Sequence, residues 1–432
     1  MHLTHIKPLV SGQNEDVEPA EPVPEPVTGR SGRSPARLLV GVAVAIGWLV
    51  LAAVLADSAV PGNLELPRID VDATFGRAFV DEAERYERVL LALWALSQVA
   101  LFTVLVVYAR RGAVFARESA AGPIGTGMLL GMLGLAMTWA VGVPFGLVAL
   151  WWDRRNGVSE VGLLEHLLDD WLTLTASFVA VCLALLVVMA LARWLGEWWW
   201  LPGAAVFTAI AFTFAWGAPA LVTGLTEPDD PALVASYERL QHDQGVSGIP
   251  LRIEEVSGDT SQANAYAFGL LGTRTIVLWD TLLDGRFTDG EVNVVLAHEV
   301  AHHSSRHLAK AIGWFALFAV PGAWLLMRLT RRRGGMGEAQ AVPLALLVVA
   351  AFQLAVAPLQ GWVSRGMEQE ADWKALESTR DPGSARGLFE EFAKTSLGDP
   401  SPPTWAYLLL ASHPSLAQRV AMVEAWAARE RP

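Results

Sequence analysis

Long apolar runs alternate with polar segments along the chain, and seven of these runs approach the length of a membrane-spanning helix. A helix needs about 20 predominantly apolar residues to cross a bilayer. The candidate spans are residues 38–56, 89–108, 121–151, 171–192, 198–222, 312–327 and 341–362. The sixth run is short, and the third is long and rich in glycine. The pattern predicts a mainly α-helical integral membrane protein with about seven transmembrane helices.

The third apolar run also holds a pattern that favours close helix packing. Gly127 and Gly131 form a G-x-x-x-G, which allows two helix backbones to approach each other. Tryptophans cluster at 151–152 and 198–200, where they fit aromatic belts at the membrane interface. Packing and anchoring account for both features, so neither indicates a functional site.

In the main polar insert, residues 223–311, the spacing of hydrophobic residues changes from a helical to a strand-like period. A proline-initiated helical pattern ends at Gly245 and is followed by three short strand-like segments. These segments are residues 250–256, 264–270 and 273–283. Thr288 then stands as the N-cap of a helix, with Glu291 three residues on as in a capping box. We therefore expect a small sheet directly ahead of that helix.

These patterns divide the chain into five parts. The parts are a disordered tail at 1–37, five transmembrane helices at 38–222, the insert at 223–311, two transmembrane helices at 312–362 and a C-terminal segment at 363–432. The tail is rich in proline and glutamate and cannot bury enough apolar surface to fold. It is too long and acidic for an ordinary signal peptide, so we expect the first apolar run to remain as an anchor.

Composition narrows the possible partners. Hydrophobic residues make up 53% of the chain, charged residues 18%, and the mean hydropathy is +0.36, values too apolar for a soluble domain of this size. A net charge of −12 and the lack of a basic stripe exclude nucleic acid and leave the lipid bilayer as the evident partner. The single cysteine, Cys182, excludes an internal disulfide framework. Lysine is rare beside arginine, which suggests a bacterial cell membrane.

The chemistry of the chain is concentrated in the helix after Thr288, where His298, Glu299 and His302 form an H-E-x-x-H motif. Residues four apart share a helix face, so the two imidazoles point to one place with the carboxylate beside them. Neutral imidazoles bind Zn²⁺ at about 2.0–2.1 Å, and an open coordination position carries a water whose pKa falls to about 7. The glutamate then serves as general base. The motif predicts a zinc peptidase with Glu299 as its catalytic residue.

A catalytic zinc site needs a third protein ligand, and the helix after the last span offers two. Glu368 and Glu370 are both candidates, and Asp372 follows Glu368 by one helical turn. A carboxylate in that position accepts the free ring N–H of a zinc-bound histidine. This favours Glu368 as the ligand and Asp372 as the partner of a ligand histidine.

Two alternatives compete with this interpretation. A short motif arises by chance, and a helix with His302, His303 and His307 is also compatible with a solvated face beside a membrane. A second alternative is a non-catalytic membrane scaffold or chaperone that binds zinc only for structure. Glu299 argues against the scaffold, because a structural site has no use for a base at that position.

Four segments together resemble the M48 peptidases, and within them the Ste24-like CAAX prenyl proteases. They are the segment from Asn264 to Gly269 followed by IVLWDTLL, the run HEVAHHSSRH with its extra His307, the run Ser364-Arg365-G-M-Glu368-Q-E-Ala371-Asp372, and Ser412-His413-Pro414 with Arg419. They cover roughly 250–420. Seven spans and the overall length also resemble Ste24 more than the shorter HtpX-like members. Two departures are Gln369, where the family usually has an aromatic residue, and Ala301, where it usually has glycine.

The resemblance implies a zinc metalloendopeptidase with one Zn²⁺ per chain, acting on membrane-associated proteins or peptides. The zinc ligands would be His298, His302 and Glu368, and Glu299 would be the catalytic base. Asp372 would accept a hydrogen bond from a ligand histidine. Asn264 and Ala265 would lie on an edge strand that pairs with an extended substrate. The resemblance also suggests that His413 and Arg419 contact substrate or the tetrahedral intermediate. Prenylated substrates are not expected in most bacteria, so quality control or peptide processing is at least as plausible.

Two arguments disagree on the side of the membrane that the site faces. With seven spans, the tail and the loops on its side hold twelve Lys and Arg, whereas the short loops on the other side hold six. The positive-inside rule then puts the insert and the C-terminal segment outside the cytoplasm. The family resemblance implies the cytoplasm instead. We favour the extracytoplasmic side, since the arginine run at 328–333 is hard to export.

Overall fold

Helices dominate the computed structural model, which describes residues 35–117, 121–258, 260 and 262–430. The predicted disordered tail lies almost wholly outside the described residues. The chain divides after Leu49 into two compact units, and the fold given below is that of the unit from Val50 onward. The first apolar run forms helix α1, Pro35–Leu55, which is described here only by its bounds.

Six helices within the described residues are long and apolar enough to cross a membrane. They are α2 (Arg77–Arg111), α3 (Gly122–Arg155), α4 (Leu163–Leu195), α5 (Trp200–Gly217), α8 (His307–Thr330) and α9 (Val342–Thr379). They match the second to seventh predicted spans and confirm the mainly α membrane architecture. The sixth span, short in the sequence, extends to 24 residues in α8.

The glycines of α3 admit side chains of α4. A Cβ atom on Gly127 would collide with Sδ of Met189, and one on Gly131 would lie 2.5 Å from Cδ1 of Leu185. Met189 is fully buried there, within an apolar core that α4 shares with α8 and α9. The G-x-x-x-G pattern therefore marks a close helix contact, as its spacing predicts.

The insert folds as helix α6, a three-stranded sheet and helix α7. Their bounds are α6 Pro231–Asp243, β1 Leu251–Glu254, β2 Ala265–Phe268, β3 Thr275–Trp279 and α7 Asp289–Ser304. The strand order is β1-β3-β2, with β1 parallel and β2 antiparallel to β3. The strand β2 is therefore an edge strand, and it lies against α7.

Helix α7 begins as its capping signals predict. The side chain of Thr288 accepts a hydrogen bond from the Glu291 backbone N–H at 3.3 Å, and the Glu291 carboxylate accepts one from the Thr288 N–H at 2.7 Å. This reciprocal pair satisfies two backbone donors that a helix start leaves free. The helix then buries Leu296, Ala297 and Val300 completely, so its position between the sheet and α9 is fixed by packing.

The C-terminal part consists of three further helices, α10 Pro382–Ser396, α11 Thr404–Leu410 and α12 Leu416–Glu430. Helices α10 and α12 pack on each other and complete the apolar core around α7. Helix α9 runs without a break from the predicted seventh span to Thr379. The segment boundary that the sequence suggests at 362–363 therefore falls inside one continuous helix, which rigidly connects the membrane bundle to the site described next.

Candidate metal centre

Helices α7 and α9 bring three side chains of the predicted metal site to one point. The Nε2 atoms of His298 and His302 lie 3.1 Å apart. The carboxylate of Glu368 faces both rings, with Oε2 at 3.2 Å from Nε2 of His298 and Oε1 at 3.7 Å from Nε2 of His302. All three side chains are largely shielded from solvent. The spacing of four on α7 and the packing of α9 against it produce this convergence.

The arrangement fits a divalent cation. Oε2 of Glu368 is buried and lacks a hydrogen bond of acceptable geometry among the described residues, although a buried carboxylate oxygen normally has a partner. Two ring nitrogens that face each other at 3.1 Å likewise need a cation or a proton between them. Two imidazoles and one carboxylate are the donor set of a catalytic zinc site. Glu299 also has an oxygen within 4.8 Å of the ring nitrogens, but the Glu368 carboxylate is the one with an oxygen facing each ring.

Electrostatics around His298 favour a positive charge at its Nε2. Burial opposes a proton on this ring, but the carboxylates of Asp372 and Glu368 outweigh that effect and raise the pKa of His298 to about 10. Burial lowers the pKa of His302 to about 3, so this ring is neutral and offers a lone pair. The position that attracts a proton on His298 is therefore the one that a bound cation would occupy.

Glu299 follows His298 on α7, and one of its carboxylate oxygens lies within 4.8 Å of the ligand atoms of His298 and His302. Burial raises the pKa of Glu299 to about 7, a value that suits a group which takes and returns a proton near neutral pH. Its carboxylate accepts a hydrogen bond from the backbone N–H of Ala267 on β2. The base and the edge strand are thus in direct contact.

The free edge of β2 faces this site. Trp279 on β3 donates its N–H to the carbonyl of Asn264 at 3.0 Å. Because peptide groups alternate along a strand, those of Ala265 and Ala267 point away from β3. The Asn264 side chain accepts from the Ala265 N–H at 2.9 Å. The predicted edge position of this segment is confirmed, whereas its contact with substrate stays a prediction.

Asp372 orients His298 from behind. Its Oδ1 accepts from Nδ1–H of His298 at 2.8 Å, so the tautomer leaves Nε2 free for a ligand. The guanidinium of Arg419, on α12, donates to both Asp372 oxygens at 2.8 and 2.6 Å. Arg419 was expected to contact substrate or the tetrahedral intermediate; in the structure its guanidinium is bound to Asp372.

His413 reaches the site from the turn after α11. Its Nε2 lies 3.3 Å from Oε2 of Glu368, and its Nδ1 lies 2.9 Å from Oγ of Ser412. The side chain is 58% exposed, so it is open to an incoming molecule. Arg365 holds this turn by donating to the carbonyls of Tyr407 and Ala411 at 3.1 and 2.6 Å. Arg365 belongs to the run from Ser364 to Asp372 that resembles the family, but the sequence alone does not predict its contact with this turn.

Glu370 is turned away from the ligand nitrogens. It contacts His307 and Lys310 instead, each at 3.1 Å through Oε2. His303 likewise faces outward from the metal site, with Nε2 at 3.2 Å from the Thr275 carbonyl of β3. Sequence reasoning assigned neither His303 nor His307 a role, because both depend on which elements pack beside α7.

Comparison with known proteins agrees with this geometry. Residues 233–427 match the model described as Peptidase family M48, a segment that contains the whole site and all three strands. This segment is therefore an M48 peptidase segment. The match implies a metal cofactor and confirms the M48 identification made from the four sequence segments.

The relatives of this chain differ in how much of it they match. An uncharacterized metalloprotease, YhfN of Bacillus subtilis, is 31% identical over 179 residues, which are 39% of this chain and 42% of YhfN. A CAAX prenyl protease 1 homolog of Oryza sativa is 28% identical over 183 residues, with the same shares. The chain thus spans less than half the length of these two relatives. A protease HtpX homolog of Herminiimonas arsenicoxydans is 26% identical over 61% of this chain and 88% of that protein.

Structural similarity to a solved protein extends beyond residues 233–427. The crystal structure of S. mikatae Ste24p superposes with a TM-score of 0.68 at 17% identity, covering 90% of this chain and 99% of that one. At this identity the match shows the fold alone. Together with the six apolar helices among the described residues, it indicates that the chain is a multi-pass membrane protein with a Ste24-like fold.

Proposed function

We propose that this protein is a membrane-embedded zinc metalloendopeptidase that hydrolyses peptide bonds of membrane-associated proteins or peptides. His298, His302 and Glu368 would hold the zinc. The observation that carries the proposal is the open cluster of two imidazoles and a carboxylate with Glu299 beside it. The arginine-rich, lysine-poor composition supports a bacterial cell membrane as the location.

Each residue of the site has a part in peptide hydrolysis. Zinc, when bound, polarises the scissile carbonyl and makes water nucleophilic near neutral pH. Glu299 takes a proton from the attacking water and returns it to the leaving amine nitrogen. An extended substrate would pair with the outer edge of β2 by donating to the Ala265 carbonyl, since the Ala265 N–H is bonded to the Asn264 side chain. His413, whose Nε2 lies 3.3 Å from Oε2 of Glu368, would donate to the developing oxyanion.

Glu299→Gln is the decisive variant because it removes the base and keeps every proposed ligand. The purified protein, reconstituted in liposomes, is assayed with a fluorescence-quenched peptide joined to an apolar membrane anchor. We expect Glu299→Gln to bind one zinc per chain and to lose about 10²–10⁴-fold in turnover. Glu390→Gln, on α10 and paired with Arg386 at 2.9 Å, serves as a carboxylate control outside the site.

Two results would contradict the proposal. Turnover by Glu299→Gln near that of the wild type would remove Glu299 from the mechanism. A wild-type protein that binds zinc and cleaves nothing would favour the non-catalytic scaffold. If neither result is found, photocrosslinking in native membranes with the Glu299→Gln protein would identify substrates, since a variant without turnover retains what it binds.

A further inference from the structure

A second set of hydrogen-bonded polar side chains reaches the metal site through His302. Helix α7 ends at Ser304, and Arg306 adopts a left-handed conformation with φ +56°, so the chain turns sharply before α8. His307 opens α8 directly behind His302. The Nδ1 atoms of the two rings lie 2.9 Å apart, which is hydrogen-bond distance.

The hydrogens on His302 and His307 can be placed by counting the donors and acceptors that face each other. Nε2 of His307 faces Oε2 of Glu370 at 3.1 Å. A carboxylate only accepts, so this nitrogen carries the hydrogen and the Nδ1 of a neutral His307 is bare. Nδ1 of His302 must then donate to it. A neutral ring with its hydrogen on Nδ1 presents a bare Nε2, and Nε2 is the atom of His302 that faces His298 and Glu368.

Glu370 is held firmly in this role. Lys310 Nζ donates to the same Oε2 at 3.1 Å and to the Asp57 carbonyl at 2.7 Å. The Ala59 N–H donates to Oε1 at 3.2 Å, so the segment after α1 covers the carboxylate. His307 and Glu370 are only 3% and 6% exposed. Burial of a carboxylate is costly unless its oxygens have partners, and both Glu370 oxygens accept hydrogen bonds here.

We propose that His307 and Glu370 are positioning residues that fix the tautomer and ring orientation of His302 for metal binding. Each ligand histidine then has its own anchor: Arg419 and Asp372 behind His298, and Lys310, Glu370 and His307 behind His302. The second anchor differs because a histidine stands between the carboxylate and the ligand. The inference rests on the proposed zinc site.

Substitutions at His307 separate positioning from simple packing. His307→Leu fills the space and removes the acceptor for His302. His307→Gln can accept from His302 through its amide oxygen and donate to Glu370 through its amide nitrogen, as the neutral ring does. We expect zinc affinity, measured by competition with a chelator, to fall about 10–100-fold in His307→Leu and to recover largely in His307→Gln.

Two more variants complete the experiment. Glu370→Gln keeps an acceptor oxygen but loses the charge, so its loss of affinity should be smaller than that of His307→Leu. His303→Gln is the matched control, because His303 is a buried neighbour on α7 that bonds a backbone carbonyl and touches no ligand. It should keep wild-type zinc affinity. In the Co²⁺-loaded protein, the visible absorption bands should change in His307→Leu and remain in His303→Gln.

Equal zinc affinity in wild type, His307→Leu and Glu370→Gln would overturn the proposal. If His307→Leu does not fold, wild-type affinity in Glu370→Gln together with an unchanged Co²⁺ spectrum would overturn it equally. Because affinity is measured without substrate, a protein that binds zinc but cleaves no peptide contradicts the proposed function while the affinity ranking still decides on the anchor.

Discussion

Arg419 clamps Asp372 through two hydrogen bonds, from Nε to Oδ2 at 2.8 Å and from Nη2 to Oδ1 at 2.6 Å. The guanidinium is nearly buried and also lies over the Phe389 ring, 4.2 Å from its centroid. Planar, two-point pairing of this kind fixes the carboxylate in one orientation. Asp372 in turn receives Nδ1–H of His298. A residue on α12 therefore determines how a proposed metal ligand on α7 is presented.

The first prediction concerns the stability of this clamp. Arg419→Gln leaves the Asp372 carboxylate buried without its counter-charge, and loss of one partner from a buried pair costs about 3–5 kcal/mol. Arg386→Gln is the control, since Arg386 pairs with Glu390 and Glu424 but is 40% exposed. Exposed pairs contribute about 0–1 kcal/mol. Thermal unfolding in detergent should therefore separate the two variants clearly, and similar midpoints would show that the Arg419 clamp does not stabilise the fold.

The pattern of the sequence predicts the elements of this protein well because their signals are local. Apolar runs predict α2–α5, α8 and α9, and the capping box at Thr288 and Glu291 marks the start of α7. The H-E-x-x-H spacing places His298 and His302 on one helix face without any tertiary information.

What the sequence does not reveal depends on packing between distant elements. The pairing of His307 with Glu370 requires the left-handed turn at Arg306 and the crossing of α8 with α9. The position of Arg419 requires α12 to pack beside α9. Helix ends are also missed: α2 starts at Arg77, because the polar DEAERYER run continues the same helix outside the apolar segment.

A second prediction concerns pH and His303. Burial lowers the pKa of His303 from its usual 6.5 to about 4, so the folded protein binds fewer protons here than the unfolded chain between these values. The free energy of unfolding is therefore unaffected by this group above about pH 6.5, and it decreases as the pH falls toward 4. His303→Gln carries no proton, so its thermal midpoint should fall less than that of the wild type over this range. Parallel curves for the two proteins would contradict the assignment.

A third prediction concerns the turn that ends the edge strand. Gly269 has φ +84°, and a Cβ atom there would collide with the carbonyl oxygen of Thr273 and lie 2.9 Å from Cγ of Pro219. A left-handed conformation costs a non-glycine residue about 1–3 kcal/mol, and the collision with backbone adds to it. Gly269→Ala should lower the unfolding midpoint and displace β2. Gly272→Ala, three residues on with no atom within 4 Å of its Cβ, should leave both unchanged.

The last prediction concerns the side of the membrane that the metal site faces. Helix α8 leaves the site at His307 and α9 returns to it at Glu368, so the arginine-rich connection at 331–333 lies at the opposite end of the bundle. Clusters of arginine are retained in the cytoplasm by the positive-inside rule. The site and helices α10–α12 should then lie outside the cytoplasm.

Alkaline phosphatase fused after Pro432 should be active, and the same reporter fused after Gly335, in the α8–α9 connection, should be inactive. A fluorescent protein at the two positions should give the reverse result. If the phosphatase fused after Pro432 is inactive and the fluorescent protein fused there is fluorescent, the site lies in the cytoplasm, as the M48 resemblance implies. The arginine count would then not set the orientation of this chain.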